Sequence, residues 1–201
     1  CEDGSMFGEE YTLVACADYV LSKTKGNTVS NLSSSRALRD ITEKHGGKYQ
    51  ASAVGEVNVV ELMKTSNAII GGEGNGGIIY PASHYGRDSL VGIALFLSHL
   101  VTSNMSCKEM RASYPSYYMS KNKIQLTPQI NVDAVLQTMA NNYTSEDVNT
   151  IDGVKINFET EWVHLRKSNT EPIIRIYTES TSQKCADKLA YRFIEEIKAV
   201  I

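Results

Sequence analysis

Two stretches of the 201-residue chain carry residue types that could do chemistry. The first is Gly71-Gly72-Glu73-Gly74-Asn75-Gly76-Gly77, with five glycines in seven residues and one charge, Glu73. Glycine lets a backbone approach a ligand closely. A lone carboxylate held in such a loop can accept hydrogen bonds from two vicinal hydroxyls, which suits a sugar. A Gly-rich hairpin turn explains the same residues without a ligand. Gly72 to Gly77 also reads formally as G-x-G-x-x-G, but a dinucleotide fingerprint must open a helix whose N-terminus holds the pyrophosphate. Here Ile78-Ile79-Tyr80-Pro81 follows and reads as a strand, so nucleotide binding is rejected.

The second stretch is Arg166-Lys167-Ser168-Asn169-Thr170-Glu171-Pro172, followed by Arg175. Two strand patterns flank a loop of small hydroxyl and amide residues. If those strands pair, both guanidinium groups converge on the loop, and the Ser168 and Thr170 hydroxyls with successive backbone N–H groups complete an anion nest. The planar fork of arginine suits phosphate. A solvated turn with incidental charges is the alternative. The four histidines, His45, His84, His99 and His164, are isolated in sequence and read as structural. His84 stands apart because it closely follows the glycine loop. Glu56 reads as a helix-start acid and Trp162 as a packing residue.

These stretches need elements to position them. In the first half, helix and strand alternate: a helix from about Gly8, a strand at 28–32, a helix ending near His45 and a strand at 48–54. A helix at 56–65, strands at 68–72 and 78–80, and a helix at 89–101 capped by Asp88 follow. Such alternation implies βαβ units, an α/β domain with a mainly parallel sheet. The second half reads as a short helix after 104–106, a strand over 114–128, a helix at 132–141, strands at 150–158, 161–166 and 172–178, and an amphipathic helix at 183–201 with Ala186, Leu189, Ala190, Phe193, Ile194 and Ile197 on one face. That is a smaller α+β domain with an antiparallel sheet and helices. The boundary falls near residue 105, giving domains 1–105 and 106–201.

Composition narrows the function classes. Net charge is −3, so the basic footprint of a nucleic-acid binder is absent. No apolar run approaches the roughly 20 residues of a membrane span. Cys1, Cys16, Cys107 and Cys185 are far apart and form no zinc motif; Cys16 and Cys185 read as core or half-buried thiols. This usage suits a reducing compartment, and the cytoplasm is the expected location. Sequons at Asn31, Asn104 and Asn142 would matter only in a secreted protein.

Taken together, Gly72-Glu73-Gly74-Asn75-Gly76-Gly77 and Arg166-x-Ser168-Asn169-Thr170-Glu171-Pro172-x-x-Arg175 resemble the α-D-phosphohexomutases, which include phosphoglucomutase/phosphomannomutase and phosphoglucosamine mutase. Met6-Phe7-Gly8-Glu9-Glu10, Val54-Gly55 and Gly86-Arg87-Asp88 support the match, which covers essentially the whole chain. The resemblance implies the third and fourth of four domains. The family's phosphoserine loop of the T-x-S-H-N-P kind and its D-G-D-x-D-R magnesium loop, which belong to the first two domains, are absent from this sequence. The chain start, without a Met, suits a piece of a longer protein.

Residue by residue, the resemblance gives Glu73 the sugar contact, with Gly74, Asn75 and Gly76 beside it. It gives Arg166, Ser168, Asn169, Thr170 and Arg175 the grip on the non-reacting phosphate. Asn75 stands where Ser is usual and Gly77 where His is usual, so the contact of that imidazole is lost or supplied elsewhere, with His84 as the candidate; His84 and Arg87 are the secondary site residues. The implied activity of the parent is interconversion of hexose 1-phosphate and hexose 6-phosphate through a phosphoserine and a hexose bisphosphate. Mg²⁺ would be bound outside this chain, which itself would carry no catalytic residue or metal and would be inactive alone. The expected partners are a hexose phosphate or bisphosphate and the missing N-terminal domains, with neither nucleic acid nor membrane. A free-standing phosphosugar-binding or regulatory module is the alternative, and an interaction module whose two loops are only turns is a third.

Overall fold

Helix α1 (Glu9–Lys23) starts directly after Gly8, whose φ of +97° suits a residue without Cβ. Glu9 and Glu10 lie in its first turn and Lys23 in its last, each on the side the helix dipole favours. The chain continues through β1 (Asn27–Asn31), α2 (Ala37–Lys44), β2 (Tyr49–Ser52), α3 (Glu56–Ser66), β3 (Ala68–Glu73), β4 (Gly77–Ile79), α4 (Ser89–Ser103) and α5 (Cys107–Ala112). The computed structural model describes residues 1–127, 129–168 and 171–201.

The strands form one sheet in the order β2-β1-β3-β4. β1 pairs parallel with β2 and with β3, and only the β3–β4 hairpin is antiparallel. Two consecutive glycines show how the layers close on it. A Cβ on Gly71 would meet the Met63 sulfur of α3, and one on Gly72 would lie 3.3 Å from Leu13 of α1. Successive strand residues face opposite ways, so α3 covers one face and α1 the other. This is the α/β architecture with a mainly parallel sheet, and it brings the C-terminal ends of β1, β2 and β3 to one edge.

This unit runs from Cys1 to Ser116, past the boundary expected near residue 105. The extra segment is held by long-range contacts: Met110 is buried, the Tyr114 hydroxyl donates to Asp18 at 3.1 Å, and the Tyr11 hydroxyl donates to the Pro115 carbonyl at 2.7 Å. Asp18 is also bonded to His45 at 2.7 Å and His99 at 3.2 Å. Burial pushes the Asp18 carboxyl up, but the two histidine hydrogen bonds outweigh it and hold it well below the usual carboxylate range. His45 and His99 are thus structural partners of one carboxylate.

The second unit, Tyr117–Ile201, is an antiparallel sheet of β5 (Tyr118–Gln125), β6 (Asp147–Asn149), β7 (Val154–Asn157), β8 (Trp162–Lys167) and β9 (Ile173–Ser180), ordered β5-β9-β8-β7-β6. Helices α6 (Val132–Asn142) and α7 (Gln183–Val200) cover one face. Leu189, Phe193 and Ile197 of α7 bury against Leu165, Ile174 and Ile176, each burial contributing roughly 1.5–3 kcal/mol.

Two strands are shorter than their patterns suggest. β5 begins at Tyr118 because Tyr114 and Pro115 are engaged in the first unit. The stretch expected as one strand over 150–158 starts only at Val154. Before it, Asn149 Oδ1 accepts the Ile151 N–H at 3.0 Å and Gly153 takes φ +71°, which makes a turn and frees 147–149 to form β6. Cys16 is buried, and burial pushes its thiol up to about 12. Cys185, expected in or near the core, is exposed, because it sits in the first turn of α7 away from the apolar stripe.

Candidate functional site

Glu73 is the last residue of β3, at the carboxyl ends of the parallel strands, where open α/β sheets hold their ligands. The side chain is buried, and it is not alone. Asn31, the last residue of β1, donates Nδ2 to Glu73 Oε1 at 3.0 Å, and Arg87 Nη1 lies 3.6 Å from Oε2. A carboxylate offers about four lone-pair sites. Asn31 uses one of them and the Arg87 charge lies beside the other oxygen, which leaves acceptor capacity for ligand hydroxyls.

The neighbouring loops lock this arrangement. Asn31 Oδ1 accepts the Ser33 N–H at 2.9 Å and the Ser34 hydroxyl at 3.2 Å. Ser34 Oγ in turn accepts the Gly74 N–H at 3.1 Å. Arg87 is anchored by Glu56, whose carboxylate accepts from the Arg87 backbone N–H at 3.0 Å and from Nε at 2.8 Å. Those bonds, the backbone one first, hold the Glu56 carboxyl below its usual range. Glu56 is therefore both a helix-start acid and a loop contact. The glycines have a local reason as well: a Cβ on Gly74 would strike the Glu10 carboxylate, and one on Gly77 would come within 2.6 Å of Arg87 Cδ. A side chain at this position would displace Arg87. Gly76 has φ +82° in the turn, and Asn75 is exposed with its Oδ1 accepting the Gly77 N–H at 3.1 Å. His84 pairs with Asp88 at 3.0 Å and belongs to the α4 cap, whereas Arg87 reaches Glu73.

In the second unit, β8 and β9 do pair, and Arg166 stands directly opposite Arg175. β5 extends the row, because Lys123 is opposite Arg175. Three cations thus lie side by side on the sheet face away from α6 and α7, at the end where the 168–172 loop closes the hairpin. The Ser168 N–H donates to Ile173 O at 3.1 Å and keeps the loop base closed. Asn169 and Thr170 lie outside the described residues. Arg166 Nε bonds to Asp152 at 2.9 Å, and Lys167 turns to Asp133 of α6 at 2.7 Å. Among the described residues, the Arg175 and Lys123 side chains make no ion pair or hydrogen bond. Further along the face, His164 donates Nε2–H to the Asp152 carbonyl at 2.7 Å. Burial lowers its pKa to about 4, with Lys155 and Arg166 adding to the effect against the Asp152 carbonyl. Trp162 packs as expected, giving its N–H to Glu179 at 2.7 Å beneath the Lys155 ammonium.

Sequence reasoning singled out Glu73, Arg87, Arg166 and Arg175 but missed Asn31, Lys123 and Asp152. Asn31 could have been found as the polar end of a parallel strand, and Lys123 from the Lys121/Lys123 alternation in β5.

The same two-unit pattern appears in known proteins. A model of the phosphoglucomutase/phosphomannomutase α/β/α domain III matches residues 8–118, and a model of that family's C-terminal domain matches residues 121–196. The chain belongs to the phosphoglucomutase/phosphomannomutase family. The phosphoglucosamine/phosphogalactosamine mutase of Sulfurisphaera tokodaii is 34% identical over 175 residues, 86% of this chain and 38% of that protein. The crystal structure of a phosphoglucomutase/phosphomannomutase family protein from Burkholderia thailandensis shares the fold with a TM-score of 0.81 at 22% identity, over 98% of this chain and 43% of that one. The N-acetylphosphoglucosamine mutase of Aspergillus fumigatus, solved with GlcNAc-6P and magnesium, has a TM-score of 0.59 at 15% identity, over 92% of this chain and 45% of its own. The chain therefore spans less than half the length of these phosphohexomutase relatives. Among the described residues, no group of three or more His, Cys, Asp or Glu is placed to hold a metal ion, and no helix is long and apolar enough to cross a membrane.

Proposed function

We propose that this chain is the sugar- and phosphate-gripping part of a phosphohexomutase that interconverts hexose 1-phosphates and hexose 6-phosphates. The observation that carries the reading is the cross-strand row Arg166–Arg175–Lys123 beside the 168–172 loop. Two of its cations are unengaged by described residues. Guanidinium groups set side by side across paired strands present their donors to one anion, and such charge-assisted bonds are short and strong.

Glu73 supplies the second grip, accepting from sugar hydroxyls while Asn31 and Arg87 hold its carboxylate in place. In the parent enzyme a phosphoserine transfers its phosphoryl group to the free hydroxyl of the hexose phosphate. The bisphosphate reorients, and its other phosphoryl group returns to the serine. The phosphate grip must therefore accept either end of the sugar, which favours a charged nest over a shape-fitted pocket. Phosphoryl transfer depends mostly on positioning and electrostatics, and this chain's residues bind and orient. On this reading the phosphoserine and Mg²⁺ belong to the part of the parent outside this chain, and residues 1–201 alone do not turn over.

Titration of the chain with glucose 6-phosphate, followed by amide NMR, tests the reading. Shifts concentrated at 166–175 and at Glu73 are expected. The absence of shifts there at millimolar ligand, or mutase turnover by residues 1–201 alone, would contradict it.

A further inference from the structure

Arg166 is fastened on one side only. Its Nε–H donates to Asp152, whose two carboxylate oxygens lie 2.9 and 3.1 Å away. A guanidinium carries five N–H donors, and the other four sit on the two Nη atoms. Among the described residues, nothing meets those Nη groups. The Arg166 and Asp152 side chains are 23 and 22% exposed, so the Nη fork can meet an incoming anion. An ion pair this open to water contributes little to stability, yet the chain around Asp152 is held firmly.

Three contacts fix the turn that carries Asp152. The buried His164 donates Nε2–H to the Asp152 carbonyl at 2.7 Å. Asn149 Oδ1 accepts the Ile151 N–H at 3.0 Å. Gly153 takes φ +71° and lies so close to β8 that a Cβ there would strike the Leu165 carbonyl. His164 and Arg166 are two residues apart on β8 and face the same way. The strand that carries the arginine therefore also anchors its carboxylate partner. A buried imidazole and a left-handed glycine together place one carboxylate beside one guanidinium. By charge alone this placement is unfavourable to an anion site, because a carboxylate repels phosphate. By orientation it helps, because a guanidinium held at Nε presents its planar fork with little rotamer freedom left to lose.

We propose that Asp152 is a positioning residue of the phosphate grip, holding Arg166 by Nε so that its two Nη groups face the phosphate of the hexose phosphate. The inference deepens the functional reading above and rests on it. Orientation outweighs repulsion here, and the two effects have opposite signs. Charge alone predicts that Asp152→Ala and Asp152→Asn tighten phosphate binding alike. Positioning predicts that both weaken it, and that Asp152→Asn, whose amide oxygen still accepts from Nε, weakens it less.

Calorimetric titration of residues 1–201 with glucose 6-phosphate reads the difference. Asp152→Ala weakens binding by about 5- to 10-fold. In an Arg166→Ala background the same substitution costs nothing further, whereas in an Arg175→Ala background it keeps its full effect. A merely structural role would cost the same in both backgrounds. Both Asp152 substitutions keep the main-chain bond to His164, and urea unfolding followed by Trp162 fluorescence checks the fold. If Asp152→Ala does not fold, the cycle is run with Asp152→Asn. Unchanged or tighter binding in the Asp152 variants, or an equal cost in the two arginine backgrounds, overturns this inference alone, provided that the arginine substitutions themselves weaken binding. A native chain that binds no glucose 6-phosphate, or Arg166→Ala and Arg175→Ala variants that bind it as the native chain does, overturns the functional reading and this inference with it.

Discussion

Acid destabilises the second unit through His164, and the size of the effect follows from its surroundings. The ring is 1% exposed, donates to the Asp152 carbonyl and faces Lys155 across the β7–β8 pair. Burial holds its pKa at about 4, against about 6.5 in an unfolded chain. Above pH 6.5 both states are neutral and the fold is unaffected. As pH falls from 6.5 towards 4 the unfolded chain gains a proton that the folded chain refuses, and stability drops by about 1.4 kcal/mol per pH unit. The loss reaches about 2 kcal/mol at pH 5 and about 3 kcal/mol at pH 4. His164→Gln keeps a side-chain N–H for Asp152 and cannot titrate. Urea unfolding followed by the fluorescence of Trp162, the chain's only tryptophan and a neighbour on β8, reports on this unit. Between pH 7 and pH 5 the native protein loses about 2 kcal/mol more than His164→Gln. Equal losses would refute the burial argument, as would an NMR titration of His164 near 6.5.

Three further outcomes are expected. Arg175→Ala weakens glucose 6-phosphate binding by about 2–3 kcal/mol, roughly 30- to 150-fold in Kd by calorimetry, whereas Lys167→Ala, whose ammonium is already on Asp133, changes it far less; equal effects would show that the row does not hold the phosphate. Glu73→Ala leaves the binding of inorganic phosphate intact and removes the preference for a sugar phosphate over it, and a native chain with no such preference would show that Glu73 contributes nothing to recognition. Asp18→Asn costs about 1–3 kcal/mol at pH 7 by breaking the bonds to His45, His99 and Tyr114. Because the folded carboxyl titrates below its usual range, this stability is present above about pH 4 and lost below it, so the deficit of the variant shrinks in acid; a deficit independent of pH would contradict the hydrogen-bond account.

The candidate site was partly legible because some of its residues announce themselves locally. Arg166 and Arg175 flank a loop between strand patterns, and a hairpin with the loop at its tip brings them opposite one another. Glu73 stood out as the one charge among glycines. Asn31 and Asp152 did not, since each acquires its role from a residue distant in sequence. The glycines were legible as glycines, but their local reason was not: Gly74 and Gly77 make room for Glu10 and Arg87.

The amino-acid sequence alone determined the element types, the α/β-then-α+β order, the family and the two loops. All of these depend on periodicity, turn residues and short motifs, which act over a few residues. Tertiary structure decided where the first unit ends, that Glu73 is paired rather than alone, and that Lys123 joins the arginines. It also decided that the Asp152 turn reaches Arg166. These depend on which strands lie side by side and which helix a distant segment reaches, and they emerge only when burial and hydrogen bonding are satisfied across the whole unit at once.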